Sequence, residues 1–278
     1  MKRSILIAVA ALIGLNLASP VGAAIIRTQN FNADPGWASQ LNLASPNSYG
    51  FQNTTHITGS TAGEAGGTYG RTNTFAYYAD PNVSLGANEL IQLTGKLTID
   101  SNAGQQGGIR IGWFDNRDYA PGGPLAAGPI FGTNDFVGFV LQDPSGSGGR
   151  FRAVLRMIRG NGSDQNLQFT TGVLPGFDYN FDFVYNPLAN SGNGQLALSL
   201  TGIDDLGFTT NLTFNLPAGF RTGGTFEFNS FGLSTLNFGA LTGTSTIFLD
   251  DLAYSVPEPS TLALLALAAG SIWLRRKR

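Results

Sequence analysis

Short runs of alternating apolar and polar residues recur along this chain and constrain its fold more than any other feature. In a β-strand, successive side chains point to opposite faces of the sheet, so each run predicts a strand with one buried and one solvated face. Gly, Asn, Asp, Pro and Ser cluster between the runs and predict turns. The clearest runs lie at residues 89–100, 109–113, 151–157, 177–185, 196–200 and 246–254. The pattern predicts an all-β protein.

Two further runs predict where a strand lies within its sheet. Residues 136–142 are apolar on both sides, which is typical of a central strand. In the closing run, Thr246–Tyr254, strict alternation places Phe248 on the same side as Leu252 and Tyr254. We therefore expect these three side chains to share one buried face.

The composition agrees with an antiparallel two-sheet sandwich. Glycine accounts for 38 of 278 residues, and charged residues for only 12%. The glycine content is about twice the ordinary usage, and the charged fraction about half of it. No long stretch between the two ends shows the 3.6-residue apolar period of a helix. The chain has no cysteine, so the core must be held by burial alone, for which about 235 residues suffice.

The N-terminal segment has the pattern of a secretory signal peptide. Lys2 and Arg3 precede an apolar run from Ile5 to Leu17, and small residues follow as far as Ala24. Cleavage after Ala23 or after Ala24 fits the small-residue requirement equally well. The alternative is a retained N-terminal anchor. We assign residues 1–23 to the signal peptide, which implies the Sec export machinery as a partner, and residues 24–255 to one β-sandwich domain.

Residues 256–278 combine three parts in a fixed order. Val256-Pro257-Glu258-Pro259 is followed by an apolar segment at residues 262–274 and by the basic end Arg275-Arg276-Lys277-Arg278. As a helix the apolar segment is about 20 Å long, whereas a bilayer's hydrocarbon core is about 30 Å thick. The basic end should stay on the cytoplasmic side. An ordinary C-terminal transmembrane anchor is the alternative.

This tripartite pattern resembles the PEP-CTERM sorting signal of Gram-negative bacteria. The resemblance implies that a short transmembrane helix tethers the precursor transiently to the inner membrane. It also implies that a membrane enzyme, exosortase, recognises the tail and removes it near the Pro-Glu-Pro motif. The sorting-signal residues would then be Val256, Pro257, Glu258, Pro259, Arg275, Arg276, Lys277 and Arg278. The expected destination is the cell surface or the extracellular space.

Removing both ends changes the charge of the protein. The whole chain has 16 basic and 18 acidic residues, and six of the basic residues lie in the two ends. Residues 24–259, the part that we expect to be exported, then contain ten basic and 18 acidic residues including Glu258, a net charge of about −8. A nucleic-acid partner would require a basic face, so this class of partner is excluded.

The region between the two ends is similar to the concanavalin-like jelly-roll sandwiches of lectin, laminin-G and glucanase domains. The features that carry this resemblance are Gly36-Trp37, residues 108–114 and the closing run at residues 247–252. The resemblance implies two antiparallel sheets in a jelly roll. Because many functions share this fold, the resemblance does not determine an activity.

Catalytic patterns are missing from the sequence. His56 is the sole histidine and no Gly-x-Ser-x-Gly elbow accompanies it. Sandwich glucanases that resemble this fold carry Glu-x-Asp-x-x-Glu on one strand, and none of the four glutamates, Glu64, Glu89, Glu227 and Glu258, lies in that pattern. We therefore predict a protein that is not an enzyme, and a glycoside hydrolase is the disfavoured third reading.

A structural calcium ion is the cofactor that the sequence allows. Histidine and cysteine clusters for transition metals are missing, whereas calcium binds aspartate and carbonyl oxygens. Carbohydrate-binding sandwiches often hold calcium beside the closing strand, which points to Asp250 and Asp251. Further candidates are Asp204-Asp205 and the segment from Asp115 to Asp118. The alternative is that these aspartates form turns and keep edge strands soluble.

A carbohydrate site would combine an aromatic surface with polar donors. The run at residues 151–157 carries an arginine face formed by Arg150, Arg152 and Arg156, which could bind carboxylates or sulfates of an acidic polysaccharide. Arg110 and Trp113 lie on another predicted strand, and Trp37, Tyr119 and Tyr185 are further aromatic candidates. The alternative is an arginine face paired with Asp178 and Asp182 of a neighbouring strand.

These observations predict an exported cell-surface or matrix protein, processed by an exosortase, with a structural or adhesive role in exopolysaccharide or biofilm. The competing hypothesis is a lectin-like module that recognises an acidic polysaccharide through Trp113, Arg110, Arg150, Arg152 and Arg156.

Overall fold

The structure, a computed structural model, describes residues 25–70, 75–102, 108–116, 135–142, 150–159, 163–236 and 243–257. The predicted signal peptide at residues 1–23 and the tail from Glu258 onward lie outside these residues. Within them, no helix is long and apolar enough to cross a membrane. The described strands are β1 (Ile25–Gln29), β2 (Ala38–Gln40), β3 (Ser48–Gln52), β4 (Glu64–Gly70), β5 (Tyr77–Asp80), β6 (Ile91–Asn102), β7 (Gly108–Phe114), β8 (Phe136–Gln142), β9 (Phe151–Ile158), β10 (Asp164–Val173), β11 (Asp178–Asn186), β12 (Gln195–Gly202), β13 (Thr209–Asn215), β14 (Ser230–Leu236) and β15 (Thr244–Val256).

The strands form two antiparallel sheets, which confirms the predicted all-β sandwich. The eight-stranded sheet has the order β13-β12-β11-β6-β15-β4-β3, and β1 also pairs with β15. The seven-stranded sheet has the order β10-β9-β8-β7-β14-β5-β2. β15 is long enough to pair with β4 through its first half and with β1 through its second half. The first and last described strands are therefore direct neighbours.

The main core lies between the inner faces of the two sheets. The ring centroids of Trp113 and Phe183, from opposite sheets, are 6.4 Å apart, and Phe231 stacks on Tyr254 at 4.0 Å. The Trp113 indole N–H donates to the Ser255 carbonyl at 3.1 Å and so satisfies the one polar atom of that side chain. Each large apolar side chain buried in this way contributes about 1.5–3 kcal/mol. Core packing thus joins the two sheets without any disulfide.

The alternating runs correctly predict which side chains face this core. Ile91, Leu93, Leu97 and Ile99 of β6 are buried as expected. β8 is central in its sheet, paired with β7 and β9, and six of its seven residues are buried. In the run at residues 177–185, the strand begins only at Asp178, and Phe177 is a half-buried residue packed on the core.

The expected face of Phe248 is wrong. Ile247 and Leu249 point into the core, at 0% and 1% exposure, and so do Leu252 and Tyr254. An irregularity in the pairing with β6 between Asp250 and Ala253 shifts the register by one residue. Asp251 has φ of 50°, the left-handed backbone that accommodates such a bulge. Phe248 therefore lies on the outer face, where its ring stacks on His56 at 3.7 Å.

The segment between β3 and β4 lies across the outer face of the eight-stranded sheet. Its Ile57 side chain is buried, and the backbone N–H of Thr58 donates to Asp178 of β11 at 2.7 Å. Glu64 holds the near end, because its Oε1 accepts the backbone N–H groups of His56 and Ile57 at 2.5 and 3.1 Å. The sole histidine is thus part of a structural contact.

Candidate carbohydrate-binding face and sorting segment

The outer face of the seven-stranded sheet carries most of the predicted carbohydrate-binding residues. Alternation along β7 turns Ile109, Ile111 and Trp113 into the core and Arg110 outward. Alternation along β9 likewise turns Arg152 and Arg156 outward. In the register of the sheet, Gly138 of β8 pairs with Arg156, and Gln142 pairs with Arg152. The sheet therefore brings Arg110, Arg152 and Arg156 onto one face.

This face is apolar at its centre. A second cluster of buried side chains lies on it, separate from the core between the sheets. Its members come from β5, β7, β8 and β9 and from the residues just before β5: Phe75, Tyr77, Ala79, Phe114, Phe136, Val140, Val154 and Ile158. The sequence does not separate this cluster from the main core, because β8 reads as apolar on both sides. An arginine on this face is therefore surrounded by apolar groups.

Arg156 forms a buried ion pair with Asp164 of the adjacent strand β10. Its Nε and Nη2 atoms contact the two carboxylate oxygens at 3.0 and 2.5 Å, and its side chain is 2% exposed. This bidentate geometry is the one that arginine favours with a carboxylate. The expected partners, Asp178 and Asp182, lie instead on β11 of the other sheet, so that alternative is wrong.

Arg110 packs over an aromatic ring. Its guanidinium carbon lies 5.3 Å from the centroid of Phe136, and the residue is 4% exposed. Gly138 leaves room for the Phe136 ring, because a Cβ at that position would lie 3.0 Å from the Phe136 Cζ atom. A cation over a ring face is attracted by the ring's quadrupole. Arg110 and Arg156 thus stabilise this sheet, and neither presents its guanidinium to solvent.

Arg150 and Arg152 are the more accessible arginines. Arg150 lies just before β9, with its side chain 31% exposed, and its Nη1 is 3.6 Å from Asp205. It also donates to the Gly172 carbonyl at 3.1 Å and lies 5.2 Å from the centroid of Phe208. Arg152 is half-buried. Arg150 therefore contacts the loop between β12 and β13, and an acidic ligand on the outer face of the seven-stranded sheet would meet Arg152 first.

The predicted aromatic surface is not on this face. Trp113 is 0% exposed, inside the core, so the expectation that its ring is a sugar platform is wrong. Trp37 is partly buried against Phe31, and Tyr185 is buried with its hydroxyl donating to the Ala87 carbonyl at 2.6 Å. Tyr119 lies outside the described residues. Of the aromatic candidates that the structure describes, Trp37, Trp113 and Tyr185, none is exposed.

One arginine that the sequence analysis did not single out lies at the other end of β9 from Arg150 and Arg152. Arg159 follows β9 directly, and its guanidinium carbon lies 4.9 Å and 5.6 Å from the centroids of Phe220 and Phe226. The signal that could have identified it is its place at the end of the arginine-bearing run. Its packing matches that of Arg110 and is structural.

Asp250 and Asp251 separate at the bulge. Asp250 is 1% exposed, whereas Asp251 is exposed and its carboxylate lies 2.8 Å from the Lys96 ammonium. A shallow pocket beside the bulge is lined by Thr28, Gln29, Asn30 and Asp251. Across the described parts of the chain, no three Asp, Glu, His or Cys side chains converge as metal ligands would. Calcium at Asp250 and Asp251 stays a prediction.

The other aspartate candidates serve as acceptors in loops. Asp204 accepts the backbone N–H of Asp178 at 2.7 Å, and Asp205 accepts the hydroxyl of Tyr179 at 2.7 Å. Asp115 accepts the side-chain amide of Asn229 at 2.8 Å, and Asp118 lies outside the described residues. These contacts fit the turn-forming alternative.

The sorting segment begins where the fold ends. Ser255 and Val256 are the last residues of β15 and pair with Ile26 and Ile25 of β1. The Ser255 hydroxyl accepts the backbone N–H of Gln92 at 2.9 Å. Pro257 is the last described residue, and Glu258, Pro259 and the basic end lie beyond it. No linker of described residues separates the closing strand from the Pro-Glu-Pro sequence.

Comparison with known proteins identifies this segment and finds distant likenesses for the fold. The curated proteins contain no match. An alginate lyase from Aplysia kurodai is 11% identical, with 76% of this chain and 87% of that chain covered and a TM-score of 0.47. An endo-β-1,4-glucuronan lyase from Trichoderma reesei has the same identity and TM-score, over 84% and 95% of the two chains. Lectin II from Ulex europaeus is 11% identical, over 83% and 97%, with a TM-score of 0.48.

The family model described as the PEP-CTERM protein-sorting motif matches residues 255–278. The resemblance that rests on Val256-Pro257-Glu258-Pro259 and on the basic end is thereby confirmed. The match begins at Ser255, one residue before the predicted boundary, and so overlaps the last two residues of β15. Ser255–Arg278 is a PEP-CTERM protein-sorting motif.

Proposed function

We propose that this protein is an exported, non-catalytic sandwich that an exosortase releases to the cell surface or matrix of a Gram-negative bacterium. The observation that carries the proposal is the sorting motif, which follows the last strand directly. A tail of this kind specifies where a protein is delivered. The delivered part is a sandwich without cysteine, with a net charge of about −8 over residues 24–259.

A structural role agrees with how the charged groups are used. Arg156 is paired with Asp164, Arg110 lies over Phe136, and His56 is bonded to Glu64. Each of these groups stabilises a strand or a loop. The proposal includes a structural or adhesive role in exopolysaccharide or biofilm.

The test reads the C-terminus of the mature protein. In cells with an active exosortase, mass spectrometry should find surface or secreted protein that lacks Arg275–Arg278. Glu258→Ala should accumulate a membrane-associated precursor that retains those residues, because the recognised motif is broken. Glu227→Ala, which changes a glutamate in the sandwich, serves as the matched control and should be processed normally. Mature surface protein that still carries the basic end would overturn the proposal.

The second candidate function is binding of an acidic polysaccharide at the accessible end of the arginine face. The observation that favours it is the partial exposure of Arg150 and Arg152 at the same end of β9. Guanidinium groups bind carboxylates and sulfates well, and partly desolvated ones bind more strongly than exposed ones.

A matched pair of charge removals separates local recognition from general attraction. Arg152→Gln should weaken binding to a polyuronate by about five- to tenfold if one charge-assisted contact is lost. Lys96→Gln removes the same charge from the other sheet and should leave binding unchanged. Dextran, a neutral polymer, should not bind either protein. Equal losses for both variants, or flat binding of the unmodified protein, would remove this candidate.

A further inference from the structure

Edge strands present unpaired backbone N–H and C=O groups, and natural proteins protect them with charge, shortness, bulges or covering loops. Five described strands have a single neighbour: β1, β2, β3, β10 and β13. Four of them carry such protection. β1 has Arg27, ion-paired with Asp80, and β2 has only three residues.

The remaining two protected edges use a loop and a bulge. On β3, Asn42 from the preceding loop covers the edge at Tyr49. The Asn42 side-chain Nδ2 donates to the Tyr49 carbonyl at 2.5 Å, and the Asn42 backbone carbonyl accepts the Tyr49 N–H at 3.0 Å. On β10, the register is broken between Gln168 and Gly172, and Asp164 at its start is charged. Neither edge offers a regular row of backbone groups.

In the part of the chain that the structure describes, β13 has none of these protections. Its sequence, Thr-Thr-Asn-Leu-Thr-Phe-Asn, contains no charge, no proline and no glycine. Its pairing with β12 is unbroken from Thr209 to Asn215, so the strand is regular over seven residues. Within the described residues, no strand pairs with its far side. Threonine and phenylalanine favour strands, so the edge is also a good template for another strand.

We propose that β13 is a self-association edge, at which two copies of this chain pair antiparallel about Leu212 and join their eight-stranded sheets. This register places Thr210 opposite the second copy's Phe214 and Leu212 opposite its own counterpart. On the outer face, Asn211 lies opposite Thr213, and Thr209 lies opposite Asn215. Every pair is then apolar with apolar, polar with polar, or aromatic with β-branched.

The burial of β13 supports a second copy as the occupant. Thr210 and Phe214 are on the core side yet only half-buried, whereas Leu212 between them is 4% exposed. Pairing about Leu212 covers Thr210 with Phe214 of the second copy, and Phe214 with Thr210 of the second copy. Aromatic and β-branched cross-strand pairs contribute favourably, and like charges at the same positions would be unfavourable. The uncharged edge thus suits its own copy.

The decisive measurement is the concentration dependence of sedimentation for the mature exported protein. The unmodified chain should show a reversible monomer–dimer equilibrium. The double variant N211K/T213K places like charges opposite each other at two symmetric positions, and should raise the dimer Kd at least about tenfold. Asn211 and Thr213 are both exposed, so the fold is retained, which an unchanged Tm would verify.

The variant N211K/T213E is the matched control. It carries the same first substitution, but each new lysine now meets a glutamate of the second copy, so dimerisation should return to at least the unmodified strength. This recovery cannot come from a general effect of charge on solubility. A protein that stays monomeric at all concentrations, or a dimer that N211K/T213K leaves intact, overturns the proposal.

Cross-linking tests the register itself. The chain has no cysteine, so N211C and T213C each introduce one thiol. Directly opposite residues have Cβ atoms about 5 Å apart and diagonal ones about 7–8 Å, so only the opposite pair is close to the Cβ–Cβ distance of a disulfide. Under mild oxidation, a mixture of the N211C and T213C proteins should therefore give more disulfide-linked dimer than either protein alone. Equal yields in all three samples would contradict pairing about Leu212.

Discussion

Glu64 shows how much one buried side chain can organise. It is 0% exposed, and its two oxygens accept from the Thr54 hydroxyl, from the His56 ring, and from two backbone N–H groups. The sequence marks neither Glu64 nor the loop that it holds. A lone glutamate before a glycine-rich strand carries no pattern that separates a buried acceptor from a solvated one.

Substitutions of Glu64 should therefore lower the free energy of unfolding in proportion to the number of hydrogen bonds that they remove. Glu64→Gln keeps one oxygen for the two backbone groups and should lower the free energy of unfolding by about 1 kcal/mol. Glu64→Ala leaves buried donors unpaired and should cost about 3 kcal/mol or more. Urea denaturation measures both. Asp182→Ala, at an exposed position on β11, should change stability by less than about 0.5 kcal/mol.

Asp250 gives the protein a pH dependence. Burial raises the pKa of this carboxyl above its ordinary value of 3.8, against the opposing effect of the hydrogen bond from the Asp251 backbone N–H. The folded state therefore holds this proton more tightly than the unfolded state. Stability from this group is complete below pH 3.8 and is lost as the pH rises through the raised pKa.

Asp250→Asn should remove that dependence. As the pH rises from about 4 towards neutrality, the unmodified protein should lose stability relative to this variant. Urea denaturation at several pH values measures the difference, with Asp182→Asn as an exposed control. A difference that grows in the opposite direction would show that Asp250 is held ionised in the fold.

At the scale of elements, the closing strand β15 shows what the alternation of apolar residues in one strand cannot predict. Alternation correctly predicts the buried faces of β6, β7 and β12, because none of these strands contains the extra residue and each keeps one register with a neighbour: β6 with β11, β7 with β14 and β12 with β13. It misassigns Phe248 because the bulge at Asp250 and Asp251 adds a residue to one strand alone. A bulge is set by pairing with a neighbouring strand, and single-strand periodicity does not contain that information.

The arginine face shows the same limit. The alternation in β9 places Arg152 and Arg156 outward, which the structure confirms. Their surroundings depend on strand order, because Asp164 is adjacent to Arg156 only once β10 returns beside β9. The sequence therefore identifies the face but neither the partner nor the burial. Two of the four arginine candidates are consequently nearly fully buried.

Close strand contacts at Gly138 predict a severe defect for alanine at that position. An alanine Cβ would lie 2.2 Å from the Ile111 carbonyl oxygen and 2.9 Å from the Gly112 Cα. Because both groups are backbone, Gly138→Ala should cost about 3 kcal/mol or more. Gly176→Ala, which meets no atom within 4 Å, should cost only about 1–2 kcal/mol for its φ of 77°. Thermal unfolding compares the two.

At the scale of the whole molecule, an ion pair between a partly exposed arginine and a buried aspartate joins the two sheets. Arg27 of β1 pairs with Asp80 of β5, and the Tyr254 hydroxyl of β15 donates to the same carboxylate at 2.6 Å. Asp80 is 1% exposed, whereas Arg27 is partly exposed. The contact therefore ties the first strand to the last strand and to the opposite sheet.

Removing the cation should loosen this junction. Arg27→Ala leaves the Asp80 carboxylate without its counter-ion and should cost about 2 kcal/mol, below the value for a fully buried pair. Arg27→Lys keeps the charge and should cost less than half as much. Urea denaturation measures both, and native-state hydrogen exchange should show faster exchange in β1 for Arg27→Ala. Equal stability of all three proteins would contradict this account.

The pairing of Ile25 with Val256 has a mechanical consequence. The predicted signal peptide and the predicted C-terminal helix would therefore both join the sandwich at the same corner. The folded domain of the precursor would be held at the bilayer by two neighbouring chain segments. β1 is synthesised first but pairs with β15, the last strand to emerge. The corner can therefore close only when translocation has delivered the whole domain. An exosortase that acts near the Pro-Glu-Pro motif would therefore reach its cleavage site only when the strands needed to complete the fold are all present.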